Sequence, residues 1–315
     1  MHKNLGRLNK IEISGYKSIK SLDLKLESLN VLIGSNGVGK SNFISFFKFM
    51  KKILDKDLPI YTAEQGGANK LLHFGKKTTS EIEFSLLFYP NAYEAVLIPD
   101  VNDRLIFKDE KTSSTARVKQ TCNIHDSDTL ASDGANLAAF LRFIREDNER
   151  SYNEIIRTIS RVAPFFQDFI LEPEINNKDT IKLKWKHKGT DEYFNANDLS
   201  DGTLRFICLT TLLLQPRLPT IILLDEPELG LHPAALNILA SMFRKVSMKT
   251  QIICLTQSVT LADNFDIEDI IVVDRKSNRS EFKRLNEEEY KDWLEEYSLG
   301  EIWQKNIIGG VPTYD

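Results

Sequence analysis

Cysteine is scarce in this chain of 315 residues: there are three, Cys122, Cys208 and Cys254, widely spaced and with no Cys-x-x-Cys pair. That argues against a disulfide scaffold and against a thiolate zinc site, and makes a reducing cytoplasm the expected compartment. Cys208 and Cys254 lie in apolar runs and read as small core residues, whereas Cys122 is ambiguous. No stretch reaches the roughly 18 uninterrupted apolar residues of a membrane span, and the N-terminus carries no apolar leader, so neither membrane nor secretion is expected. A basic excess is also missing. With 41 Lys and Arg against 45 Asp and Glu the net charge is −4, so nucleic-acid binding has to come from a local patch or a partner. Internal repeats, low-complexity tracts and sustained heptads are lacking too, which leaves no room for a long coiled coil. What remains is a globular chain whose 42% hydrophobic content suffices for one large or two ordinary domains.

Within that chain one string stands out: Gly34, Ser35, Asn36, Gly37, Val38, Gly39, Lys40 and Ser41 fit Gly-x-x-x-x-Gly-Lys-Ser. It follows the apolar run Leu29–Ile33, which reads as a buried strand, and precedes Phe43–Ile53, whose apolar periodicity reads as a helix beginning near Lys40. A phosphate loop needs that setting. Gly34, Gly37 and Gly39 let backbone N–H groups turn inward around phosphate oxygens, and the helix N-terminus adds its dipole to the same anion site. Lys40 is expected to reach the β- and γ-phosphates of a nucleoside triphosphate, and the Ser41 hydroxyl to ligate Mg²⁺.

A second string, Ile221-Ile-Leu-Leu-Asp-Glu-Pro-Glu228, ends four apolar residues in adjacent acids. It reads as a fully buried parallel strand delivering Asp225 and Glu226 at its C-terminal end, where ligands sit in open α/β sheets. Asp225 would hold Mg²⁺ through water and Glu226 would polarise an attacking water.

Between the motifs, Ile11–Ser14 and Ile19–Leu26 alternate as half-buried strands. A polar stretch, Tyr61–Asn69, leads to four short alternating segments, Glu81–Phe88, Ala95–Ile98, Arg104–Phe107 and Arg117–Cys122, which predict an antiparallel meander. Helical spacing over Asp133–Glu146, with Asp133 or Ser132 as N-cap, and again at Ile155, Ile159 and Val162, predicts a small helical lobe. Strands near Phe169–Leu171, Ile181–Trp185 and Tyr193–Phe194 are expected to return to the sheet. Lys182–Lys188 alternates lysines with Leu183 and Trp185, a solvated strand face in preference to a nucleic-acid surface. His73 reads as a packed or hydrogen-bonded histidine, His232 as structural, and Glu287–Trp303 as one amphipathic helix that either docks on the core or meets a partner.

Shortly before the Asp–Glu strand, Leu199-Ser-Asp-Gly-Thr-Leu-Arg-Phe206 places Ser200 as the cap of an apolar helix, Leu204–Leu214, with Gly202 permitting close approach to another body. GSNGVGKS, LSDGTLRF and ILLDEPELGLHP in this order resemble the ATP-binding-cassette (ABC) ATPases. IEISGYKSIKSLDL and LLHFGKK narrow the resemblance to RecF-like and OLD-like ATPases of the structural-maintenance-of-chromosomes (SMC) group and to AAA_21-type ATPases. It covers nearly the whole chain. It implies an α/β P-loop NTPase, an ABC-ATPase head with an antiparallel β subdomain and a small helical lobe. One domain of 1–315 is expected, divided at 1–60, 61–130, 131–198, 199–285 and 286–315.

The resemblance further implies a homodimer through an ATP sandwich, with Gly34–Ser41 of one subunit binding phosphates and Ser200 and Gly202 of the other contacting the γ-phosphate. ATP and Mg²⁺ are the expected cofactors. Tyr16 and Lys17 fall where this group's N-terminal strand motif approaches the nucleotide, and Glu228–His232 forms the loop crossing the interface. After the strand Gln251–Leu255 the family's switch histidine is replaced by Gln257, which can donate a hydrogen bond but cannot become cationic, so slow turnover is expected. A Q-loop glutamine is not evident, Gln65 and Gln120 being the candidates. Fewer than fifty residues follow Asp274, so a nuclease domain of the OLD type is not expected. ATP-dependent dimerisation that regulates a separate effector, a nuclease or toxin in antiphage defence, is the favoured role. A RecF-like DNA-repair clamp and a nucleotide-sensing scaffold with little turnover are the alternatives.

Overall fold

The computed structural model describes residues 6–89, 91–112, 129–131, 133–174 and 177–311. Arg117–Cys122, expected as the fourth meander strand, lies outside them, as do Gln120 and Ser132. In chain order, β1 (Lys10–Tyr16), β2 (Ile19–Lys25) and β3 (Leu29–Ile33) lead to α1 (Lys40–Leu54), α2 (Leu58–Glu64) and α3 (Ala68–Leu71), then to β4 (Ile82–Phe88), β5 (Asn91–Pro99) and β6 (Leu105–Thr112). There follow α4 (Leu137–Asp147), α5 (Glu149–Val162), β7 (Phe166–Ile170), β8 (Pro173–Glu174), β9 (Asn177–Ile181), β10 (Lys184–His187), β11 (Tyr193–Asn195) and α6 (Asp201–Leu214). The last stretch holds β12 (Ile221–Asp225), α7 (Pro233–Ser247), β13 (Gln251–Thr256), α8 (Val259–Ala262), β14 (Ile270–Lys276), β15 (Arg279–Arg284), α9 (Glu287–Glu296) and α10 (Leu299–Gln304).

These elements form two compact units. The first takes the described residues up to 112, then 220–226 and 250 onward; the second takes the described residues of 121–219 and 227–249. The first unit contains two sheets. One, in the order β2-β1-β4-β5-β6, is antiparallel throughout, so the N-terminal strands extend the predicted meander. The other runs β12-β13-β3-β14-β15, parallel except for its β15 edge. Because β3 is interior to that sheet, all five of its residues are buried, four of them apolar and the fifth, Asn30, donating to the Glu27 and Ile252 carbonyls.

Helix α1 joins the two sheets into one core. Phe43, Phe46, Phe49, Met50 and Ile53 recur at helical spacing and are buried. Phe46 meets Tyr16 edge-on at 5.5 Å and Phe84 at 5.4 Å on the antiparallel side, while Phe43 lies 5.6 Å from Phe282 on β15. Aromatic pairs of this kind add about 0.5–1.5 kcal/mol each beyond the area they bury.

Three sequence expectations for the first unit need correction. The polar stretch Tyr61–Asn69 is not simply a connector, because α2 and α3 occupy most of it. Pro59 suits the first turn of α2, and Leu58, Tyr61 and Thr62 give that helix a buried face. Strand β12 is not fully buried: it is the edge of its sheet, with alternating burial and an exposed Asp225. The tail is two helices. Ser298 caps α10 in a reciprocal box with Glu301, which breaks the run at Tyr297; α9 buries only Tyr290, whereas α10 buries Leu299, Ile302 and Trp303.

In the second unit α5 packs on α4 and α6, and α6 on α7. Helix α4 starts at Leu137, later than expected, with Asn136 rather than Asp133 at its N-cap position. Asp133 instead accepts from the Ala135 N–H at 3.0 Å, and the Asn136 side chain bridges the Ala131 N–H and the Thr129 carbonyl, so these polar groups make the preceding turn. The strands expected to rejoin the main sheet form their own, β11-β10-β7, beside the pair β8-β9. Trp185 is buried against Phe194, ring centroids 5.0 Å apart, which leaves Lys186 exposed on the opposite face of β10. No helix among the described residues is long and apolar enough to cross a membrane.

Candidate nucleotide site

The parallel register brings the two sequence motifs to one edge of one sheet. Asp225 pairs with Leu255, and Thr256 with Ile33, so the C-terminal ends of β12, β13 and β3 lie side by side. Gly34 follows β3, Asp225 and Glu226 end β12, and Gln257 follows β13. Ligands bind at this edge of open α/β sheets because the strand ends and following helix N-termini converge there.

The loop from Gly34 to Gly39 is shaped by its glycines. Gly37 and Gly39 adopt φ of 79° and 113°, outside the range L side chains favour. A Cβ at Gly34 would overlap the Val273 carbonyl oxygen, and one at Gly39 would overlap the Ser280 hydroxyl. Lys40 is buried, and its ammonium donates to the carbonyls of Gly34 at 2.5 Å and Ser35 at 2.8 Å. The loop is thereby closed around the charge of Lys40. Ser35 is half-buried, Asn36 and Gly37 are exposed, Val38 is buried, and Ser41 is exposed on the first turn of α1. That turn has no side-chain cap and no acidic residue, so its N–H groups and dipole face the loop uncompensated by a carboxylate.

On the neighbouring strand, partial desolvation and then the Glu226 carboxylate push the carboxyl of the largely exposed Asp225 above its ordinary range, and the Lys48 and Lys40 ammonium groups pull in the opposite direction. Electrostatically, the acid and the loop lysine therefore share one site. Glu226 has a left-handed backbone, φ 47°, anchored by its N–H donating to the Leu255 carbonyl at 2.9 Å. A non-glycine residue in that region is uncommon and turns its side chain out of the strand's alternation. The Gln257 amide donates to the Glu226 carboxylate. The structure therefore brings together Asp225, Glu226, Gln257 and Lys40.

Lys17 is held on the flank of α1, again with a left-handed backbone, φ 46°. Its ammonium donates to Ser45 Oγ at 3.2 Å and Gln65 Oε1 at 3.5 Å, and burial together with Lys48 holds its pKa below the ordinary lysine value. Tyr16 is buried and shares Ser45 through its hydroxyl at 3.0 Å. His73 fixes this corner, its Nδ1 2.7 Å from the Lys17 carbonyl oxygen. It is a hydrogen-bonded, buried histidine, in line with the sequence reading.

Ser200 and Gly202 belong to the second unit. Ser200 caps α6, accepting from the Thr203 N–H at 3.2 Å. Within the chain, a Cβ at Gly202 would overlap the Gly230 carbonyl oxygen. His232 caps α7 by accepting from the Ala234 N–H at 3.2 Å. Of the cysteines, Cys254 is buried and Cys208 half-buried, its thiol pKa raised by burial.

Residues 29–263 match the sequence profile of AAA_21, described as an AAA domain, putative AbiEii toxin of a type IV toxin–antitoxin system. The chain belongs to the AAA_21 family. The AAA_21 chain is similar in fold to the head domains of SMC proteins. One, bound to the C-terminal winged-helix domain of ScpA, gives a TM-score of 0.63 at 16% identity, covering 91% of this chain and 99% of that one. An SMC head from Thermotoga maritima gives 0.51 at 16%, covering 89% and 99%. The Pyrococcus furiosus head with an extended coiled coil, bound to the C-terminal domain of ScpA, gives 0.60 at 14%, covering 92% and 99%. At these identities the likeness is one of fold: a P-loop ATPase head of the SMC type. No curated protein matches the chain.

For this AAA_21 protein, sequence reasoning missed several residues at the site. Lys48, two turns beyond Ser41 on α1, acts on both Asp225 and Lys17. The helical spacing of Ser41 and Lys48 was the signal available. Asn42, next to Ser41, and Ser18, Arg275 and Ser280 also contact the loop or its support, and only tertiary structure brings the last three there. Among the described residues no group of three or more His, Cys, Asp or Glu could hold a metal by itself. Mg²⁺ at a nucleotide site needs no such cage, because phosphates and waters supply most of its ligands. Ser41 and Asp225, both exposed, fit that requirement.

Proposed function

We propose that this chain is an ATPase whose ATP-dependent self-association controls a separate effector protein. The observation that carries this reading is the gathering of the Gly34–Ser41 loop, Asp225, Glu226 and Gln257 at one edge of one parallel sheet. Loop N–H groups and Lys40 would bind the phosphates, Lys40 exchanging the Gly34 and Ser35 carbonyls for phosphate oxygens. Mg²⁺, held by Ser41 and through water by Asp225, would neutralise phosphate charge. Glu226 would accept a hydrogen bond from the attacking water, and Gln257 would hold that carboxylate in place. Hydrolysis yields ADP and phosphate. Because Gln257 stays neutral, it adds no positive charge where negative charge develops, which supports slow turnover.

Ser200 and Gly202 would complete the γ-phosphate shell from a second copy, with Lys17 on the nucleotide's flank. Contacts made only in the ATP-bound dimer would close it, and hydrolysis would reopen it. The effector, a nuclease or toxin in antiphage defence, would read that change in a cytoplasmic setting. The family description, which names a toxin–antitoxin system, is in keeping with a separate effector.

The experiment is the light-scattering mass of Glu226→Gln with and without Mg-ATP. A shift from monomer to dimer is expected in that variant and none in Lys40→Ala; an ATP-independent mass in both sinks the proposal. A second reading, a DNA-gripping dimer, draws on the exposed Lys182, Lys186 and Lys188 around β10. Steep loss of duplex binding with added salt would favour it.

A further inference from the structure

The geometry points to Arg275 and Ser280, on the two strands of the β14–β15 hairpin, as positioning residues that hold the phosphate loop's peptides with their N–H groups turned away from the hairpin and available to an anion. This rests on the reading of Gly34–Ser41 as a phosphate loop. Both residues lie beyond residue 263, where the AAA_21 match ends, so the family motif does not include them.

A loop with glycines at 37 and 39 does not hold its own peptide planes, because glycine tolerates either orientation of a neighbouring peptide. Something outside the loop has to choose. The Val38 carbonyl accepts from Ser280 Oγ at 2.6 Å, and the Gly37 carbonyl accepts from Arg275 Nη1 at 3.4 Å. In a trans peptide the C=O and the following N–H point in opposite directions. Holding those two carbonyls toward the hairpin therefore directs the N–H groups of Val38 and Gly39 to the other side.

The contact belongs to a connected group of side chains. Ser280, 1% exposed, lies 2.7 Å from Ser18 Oγ, which in turn accepts from Asn42 Nδ2 at 2.8 Å. A carbonyl can only accept, so Ser280 Oγ is the donor to Val38; it also stands in donor geometry to Ser18 Oγ, which accepts from Asn42 as well. The result is a connected set of contacts that joins the first turn of α1, the β1–β2 turn and the hairpin to the loop. Its Ser280 backbone is fixed as well, the N–H donating to the Ser18 carbonyl at 3.0 Å. Gly39 makes room for it, since a Cβ there would overlap both hydroxyls.

The test is calorimetric titration of the full chain with ADP and with ATP, alongside thermal unfolding, for the unaltered protein, Ser280→Ala, Ser280→Thr and Arg275→Gln. Ser280→Ala should weaken both nucleotides about tenfold, the factor carried by one modest hydrogen bond, and raise KM with kcat little changed. Ser280→Thr, which keeps the hydroxyl, should restore affinity. Arg275→Gln, at an exposed position, should keep the fold and lose a few-fold in affinity through its longer bond. Unchanged affinity in Ser280→Ala and Arg275→Gln overturns the inference, as does a loss that threonine fails to restore. If Ser280→Ala does not fold, Arg275→Gln decides. Failure of the unaltered protein to bind either nucleotide would instead overturn the ATPase reading and this inference with it.

Discussion

Asp225 carries a pH signature at the level of single residues. Its carboxyl is raised first by partial desolvation and then by Glu226, against the pull of Lys48 and Lys40. A native pKa above the unfolded one means that the folded state binds the proton more tightly. The stability contributed is present at acid pH and lost as pH rises through the raised value. Asp225→Asn should therefore unfold at higher temperature than the unaltered protein at pH 7.5 without nucleotide or Mg²⁺, and the gap should close as pH falls toward the ordinary carboxylate range. Solvent screening keeps the gain under about 1 kcal/mol. Thermal unfolding across pH checks it, and a variant less stable at neutral pH would contradict the charge balance described for this site.

At the level of elements, the start of α6 sets propensity against contact. Alanine is a better helix former than glycine by about 1 kcal/mol, so propensity alone predicts that Gly202→Ala stabilises the second unit. The Gly230 carbonyl predicts the opposite, because the new Cβ would meet backbone that can only shift as a loop. Destabilisation by about 1–3 kcal/mol is expected, the usual cost of overpacking. Ser200→Ala, which removes the cap bond to the Thr203 N–H, should cost about 1 kcal/mol. Urea unfolding of both variants separates the two effects. A Gly202→Ala protein as stable as the unaltered chain would mean that the loop after Glu226 yields freely.

For the whole molecule, nucleotide binding is linked to stability. A ligand that binds only the native state at 100 times its Kd adds about 2.7 kcal/mol. Mg-ATP should raise the unfolding temperature of Glu226→Gln by several degrees and leave Lys40→Ala unmoved, because the latter lacks the ammonium at the centre of the loop. If self-association follows binding, the Glu226→Gln shift should also grow with protein concentration. A shift of equal size in Lys40→Ala would place the nucleotide elsewhere.

The sequence by itself determined the parts whose physics is local. Gly34–Ser41 is legible because its glycines, lysine and serine act within one strand, loop and helix, and Ser200 is legible because a cap reaches only its own first turn. Strands β3 and β13 were readable from their short, mostly apolar runs and the core face of α1 from its periodicity. Only the tertiary structure decided what depends on register and on distant partners. It made β12 an edge, bonded Gln257 to Glu226, gave β7, β10 and β11 a sheet of their own, and split the tail at Ser298. It alone brought Ser280 to Val38, some 240 residues apart in the chain, because a hydrogen bond depends on distance in space and leaves no trace in spacing along the sequence.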